Sequence, residues 1–155
     1  IAAAALHMLA TPASALDDSA ALSGLQDGKI VFDITAGEGK ALLGRLKVID
    51  ETRQSLVKQG VTPHFVLTFR GPATKLVQTD IAKIAEKDRP MAAQIAAKLE
   101  QMSKEPGVDG LQQCSVAVRE QKTDASKVVP AVKVVGNAFI SAMAYQHKGY
   151  AYIKP

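Results

Sequence analysis

"KIVFDITAGEGKALLGRLKVIDETRQSLVKQGVTPHFVLTF", Lys29 to Phe69, is the stretch that decides the fold class. Its ends, Lys29 to Ile34 and His64 to Phe69, are short runs of β-branched and aromatic residues and read as strands. Between them, Lys40 to Gln59 places Leu42, Leu46, Ile49, Arg53 and Leu56 at spacings of four, three, four and three. That is one face of a helix, with Gly60 positioned to end it. A strand, a helix and a second strand in immediate succession make a βαβ unit, so the expectation is an α/β fold around a mainly parallel sheet.

The same alternation continues downstream. A turn at Gly71-Pro72 leads into a helical region that Pro90 divides, with Asp88 as a cap for its second part and Met91, Ile95, Leu99 and Met102 as a buried stripe. Leu111 to Val118 reads as the third strand, Ala125 to Val129 as a weak helix and Ala131 to Val135 as the fourth strand. Asn137 then caps a helix carrying Phe139, Ile140, Met143 and Ala144, and Gly149 releases the chain into a fifth strand, Tyr150 to Ile153. Periodicity does not give the order of the strands.

Upstream, residues 16–28 are polar and turn-rich and read as a linker. Residues 1–15, "IAAAALHMLATPASA", are apolar and uncharged and end in Ala13-Ser14-Ala15, which matches the apolar region and cleavage site of a secretory signal. They are too short to span a bilayer. The expectation is an exported, periplasmic protein with no stable membrane span: a signal remnant at 1–15, a linker at 16–28 and one domain at 29–155.

The 155 residues, 47% hydrophobic and 22% charged, suit one globular core. A single cysteine excludes an internal disulfide, and no Cys/His/acid cluster has metal-ligand spacing, so neither a structural metal nor a cofactor is expected. Up to Val118 the chain has 13 Lys/Arg against 13 Asp/Glu, so the net charge of +4 arises entirely beyond Cys114. The excess lies in Arg119, Lys122, Lys127, Lys133, Lys148 and Lys154, against Glu120 and Asp124. It is either a solvated surface or a local field that attracts anions. There is no dense basic run with interleaved aromatics, so no nucleic-acid partner is expected.

Ligands of parallel sheets collect at the carboxyl ends of the strands. The polar residues there include Gly37, Gly39 and Lys40 after the first strand, Arg70 after the second, Cys114 and Arg119 at the third, and Asn137 after the fourth. Cys114 is either a reactive thiol, with Arg119 and Arg70 as candidate cations, or a small hydrophobe of the core. His64 and His147 fall at the opposite edge of the sheet, so a Cys-His hydrolase is disfavoured. "ITAGEGKA", Ile34 to Ala41, fails the P-loop pattern at Ile34 and at Ala41, but a glycine-loosened helix start could still hold an anion.

"VVGNAFISAMAYQHKGYAYIKP", Val134 to Pro155, resembles the closing signature of the DsrE/DsrF-like family, and "FRGPATKLV", Phe69 to Val77, resembles its Gly-Pro turn and following helix. With the strand at Lys29 and "GVDGLQQCSVAV", Gly107 to Val118, the resemblance covers about residues 29 to 155. It implies a three-layer α/β/α sandwich with a parallel five-stranded sheet, assembled as a trimer or hexamer. It also implies, for some members, a persulfide carried on a cysteine after the third strand, at or next to the place of Cys114, with a sulfur donor or acceptor protein as partner. Arg70 stands where close relatives often have histidine before Gly-Pro, and export would separate this chain from the cytoplasmic thiouridine-forming relay. The alternative is a non-catalytic oligomeric binding or scaffold module whose cysteine only packs.

Overall fold

In the computed structural model, which describes residues 17–155, the leader-like segment lies outside the described residues. The segment read as a linker contains one helical turn, α1 (Ser19–Leu22). β1 (Asp27–Ile34), α2 (Gly39–Lys58) and β2 (Thr62–Phe69) then form the strand-helix-strand unit. Both strands start two residues earlier than their apolar runs suggest, because Asp27↔Thr62 through Ile34↔Phe69 pair in unbroken parallel register. β3 (Val108–Cys114), α4 (Ser115–Glu120), β4 (Lys133–Val135), α5 (Ala138–His147) and β5 (Ala151–Ile153) follow α3 (Arg89–Met102).

The sheet order is β4-β3-β2-β1-β5, and every neighbouring pair is parallel. The chain steps one way from β1 to β4 and then crosses back to the free edge of β1. Right-handed crossovers therefore put α2 and α3 on one face and α5 on the other, which gives the three layers of the α/β/α sandwich. On the α2/α3 face, Phe32 and Ile34 of β1, Phe65, Leu67 and Phe69 of β2 and Leu111 of β3 pack against Leu42, Leu46, Ile49, Ile95 and Leu99. Each of these side chains contributes about 1.5–3 kcal/mol by burial. The alternate residues Val31, Asp33, Val66 and Thr68 point to the α5 side, and half of them are polar.

Three expectations are corrected. The region before Pro90 is not a helix but three 3₁₀ turns, Gly71–Lys75, Ile81–Lys83 and Glu86–Asp88. Between the first two turns Gln78 bridges to Val128 and the Thr79 N–H bonds Lys127 O, which pulls the backbone out of helical geometry. Asp88 flanks α3, where Pro90 occupies the first turn, yet makes no cap bond there. Its carboxylate accepts the Gly39 N–H at 2.7 Å and so caps α2 instead. The third strand ends at Cys114, where pairing to both neighbours runs out, and Ser115–Val118 turn into α4.

One glycine is required by a close approach. Gly107 has φ +87 at the entry to β3, and a Cβ there would lie 2.7 Å from the carbonyl oxygen of Pro63. Among the described residues, no helix is long and apolar enough to cross a membrane.

Candidate functional site

Cys114 is the last residue of β3 and flanks the first turn of α4, so the strand-to-helix transition places its side chain at the carboxyl rim. Its Sγ accepts the backbone N–H of Ala138 at 3.4 Å. Ala138 opens α5, and the N-cap residue Asn137 takes the next free donor, its Oδ1 accepting the Phe139 N–H at 2.9 Å. The sulfur thus meets the unsatisfied, partially positive end of a helix. Cys114 is 4% exposed and packs on Ala117 and Ala138. It nonetheless lines a recess of about 190 Å³ together with Arg70, Gly71, Val116, Ala117, Glu120, Asn137 and Phe139.

Arg70 follows β2 directly, and the order of the strands sets it beside Asp33 of β1. Its Nε and Nη2 donate to the two carboxylate oxygens of Asp33 at 2.7 and 2.5 Å. The Tyr152 hydroxyl, from β5 on the far side of β1, donates to the same carboxylate. Asp33 is 3% exposed, so these donors offset the cost of burying its charge. The bond to Asp33 raises the Arg70 pKa, fixing it as a cation, and the bond to Asp33 raises that of Tyr152. The guanidinium lies 4.9 Å from the centroid of the Phe139 ring, which holds it on the wall of the recess. Asp33 balances its charge, and Glu120 adds a negative one to the lining. The recess suits a small, singly charged group on the sulfur and not a bulky polyanion.

Of the residues singled out in the sequence, the recess brings together Cys114, Arg70 and Asn137. Arg119 is exposed in the last turn of α4 and does not line it. Gly37, Gly39 and Lys40 do not form an anion cradle: the Gly39 N–H is taken by Asp88, Gly37 packs against Pro72, and Lys40 points to solvent. An internal carboxylate already occupies the position an external anion would use. His64 sits near the opposite strand ends against Asp27 and Asp109. Asp33, Tyr152 and Phe139 also belong to the site, in roles that no sequence motif marks. The available signal was an aspartate inside the apolar run "IVFDI", which demands a cation within reach. Among the described residues, no group of three His, Cys, Asp or Glu is placed to hold a metal ion.

The Asn137 cap yields a direct expectation. Asn137→Ala should cost about 1 kcal/mol, read as a fall of about 2–4 °C in melting temperature, and should loosen the N–H that faces Cys114.

No protein-family model matches the chain. Among curated proteins it is similar to an uncharacterized protein of Aquifex aeolicus (strain VF5), 30% identical over 125 residues. The match covers 81% of this chain and 55% of the relative, so the chain spans about half the length of the protein it matches. Among solved structures it resembles a protein of unknown function from Methanobacterium thermoautotrophicum, with a TM-score of 0.64 and 19% identity. That likeness covers 83% of this chain and 100% of the other, and it shows a shared α/β fold.

Proposed function

We propose that this chain is a DsrE/DsrF-like sulfur carrier in which Cys114 accepts a sulfane sulfur and presents it as a persulfide. The observation that carries the reading is the Cys114 sulfur at the floor of a recess, with a helix N-terminal N–H donating to it at 3.4 Å. The Cys114 thiolate attacks the outer sulfur of a donor persulfide. The donor's S–S bond breaks, a new S–S bond forms on Cys114, and the donor leaves as its thiolate with no net oxidation. The negative charge on the new outer sulfur then lies in the recess, where Arg70 is the one cation among the lining residues.

The proposed partners are a second sulfur-handling protein and further copies of this chain. Phe139, Ile140 and Met143 of α5, with Tyr152 of β5, whose partner Val31 points to the α5 side, are large apolar side chains left exposed on that side of the sheet. Phe139, 65% exposed, belongs both to this face and to the lip of the recess. A trimer or hexamer built on it would border the sulfur site.

The second reading is a non-catalytic oligomeric module, and the close packing of Cys114 on Ala117 and Ala138 favours it. Incubation with inorganic polysulfide separates the two. The sulfur-carrier reading expects an intact-mass gain of one sulfur atom, reversed by a thiol reductant and absent in Cys114→Ala. An unchanged mass in the folded protein, with labelling only after denaturation, supports the packing role.

A further inference from the structure

A second cavity opens on the carboxyl side of the sheet, at the other end of α4 from Cys114. It holds about 260 Å³ and is lined by Lys75, Gln78, Asp80 and Lys83 from the segment after β2, and by Gln121 to Asp124 and Lys127 from the segment after α4, with Ala85 as its apolar member. Four lysines and two aspartates thus line the cavity. None of the four lysines makes an ion pair among the described residues. Asp124 caps the 3₁₀ turn that follows it, its Oδ1 accepting the Ser126 N–H and hydroxyl at 2.8 Å each. Those bonds, helped by the charges of Lys127 and Lys83, hold its carboxyl below the ordinary range.

The backbone at Lys122 supplies an independent observation. α4 ends with the Thr123 N–H bonded to Val118 O at 3.0 Å and the Lys122 N–H to Arg119 O at 3.2 Å. This is the Schellman arrangement, in which the residue at the position of Lys122 turns left-handed and is usually glycine. Lys122 has φ 54, the one positive φ outside glycine among the described residues. An L side chain is strained there, and glycine would relieve it at no cost in backbone bonding. The strained residue is also one of the four lysines of the cavity.

We propose that this cavity is a binding site for a small, multiply charged phosphate group, such as pyrophosphate or a phosphomonoester. Lysine ammonium groups recognise phosphate as point charges, and Gln78, Gln121 and Thr123 offer further hydrogen bonds. The lining contains no aromatic side chain on which a base could stack, so a nucleobase is not part of the ligand. The site does not rest on the sulfur-carrier reading.

Titration calorimetry with pyrophosphate, against chloride at matched ionic strength, tests the proposal. Saturable binding is expected. Lys122→Gly should weaken it about tenfold, the loss of one charge-assisted contact, while the ligand-free melting temperature stays level or rises. The double variant Lys83→Gln with Lys127→Gln should abolish binding, and Cys114→Ala should leave it unchanged. No saturable heat with either pyrophosphate or inorganic phosphate overturns the proposal. So does wild-type affinity in Lys122→Gly or in the double variant.

Discussion

Replacing Asp50 by alanine is expected to destabilise the protein by about 4 kcal/mol, seen as a fall of about 10 °C in melting temperature for a domain of this size. Asp50 is 2% exposed on α2 and accepts bonds from Arg53 Nε at 2.9 Å, Lys98 Nζ at 2.6 Å and Gln54 Nε2 at 3.2 Å. Arg53, itself buried, also donates to Glu105 at 3.1 Å and to Pro106 O at 3.2 Å. The cluster ties α2 to α3 and to the turn that enters β3. Removing the carboxylate leaves a buried guanidinium and a half-buried ammonium with only the more exposed Glu105 to balance them. Converting Asp50, Arg53 and Lys98 together to apolar residues of similar volume should cost less than the single change.

The pH dependence follows from the same contacts. Burial alone would raise the Asp50 carboxyl, but the bonds and charges of Lys98 and Arg53 hold it below the ordinary aspartate value. A depressed folded pKa means that the stabilisation is complete above the unfolded value of about 3.9 and is lost as pH falls through the folded one. Acid unfolding followed by circular dichroism should therefore show a shallower loss of stability below about pH 4 in Asp50→Ala than in the wild type.

Asp33→Ala is the second large effect, expected at about 3 kcal/mol. The side chain of Arg70 is 24% exposed, so water partly compensates its lost partner and the cost is below that at Asp50. The functional consequence is separate from the stability loss. Without the two-point clamp the guanidinium leaves its fixed position on the recess wall, and the rate of sulfur loading on Cys114 should fall several-fold while the final extent is retained. Asp33→Asn, which keeps the shape and one acceptor, should lie between wild type and alanine in both measurements. On the alkaline side, the bond to Asp33 raises the Tyr152 hydroxyl above its ordinary value. Its contribution is whole below about pH 10 and is lost as pH rises through the folded pKa, a loss that Asp33→Ala should not show.

Particular residues show how far the sequence could be read. The unit Lys29 to Phe69 has a period of its own, so its strands and helix are local properties, and Asn137 announces its helix by chemistry alone. The rim position of Cys114 follows from the same alternation. Its contact with Ala138 does not, because that needs β4 to lie beside β3, with Cys114 paired to Val135. Arg119 looked close because it is five residues away, yet α4 carries it off the recess. Arg70, 44 residues before the sulfur in the chain, reaches the recess because β2 and β3 run side by side with Phe69 opposite Gln113. Asp88 defeats the anion reading of Gly37 to Lys40 in the same way, from 49 residues beyond Gly39. Pairings between distant segments decide the site, and no local pattern encodes them.

Whether Cys114 accepts sulfur in the folded protein is tested by a tryptic mass map made after polysulfide treatment under native conditions. Cleavage after Lys104 and Arg119 isolates Glu105 to Arg119 with the single cysteine. The expected result is that this peptide carries the mass of one added sulfur atom, lost on treatment with a thiol reductant. An unmodified Glu105–Arg119 peptide from protein that stayed folded throughout would contradict it.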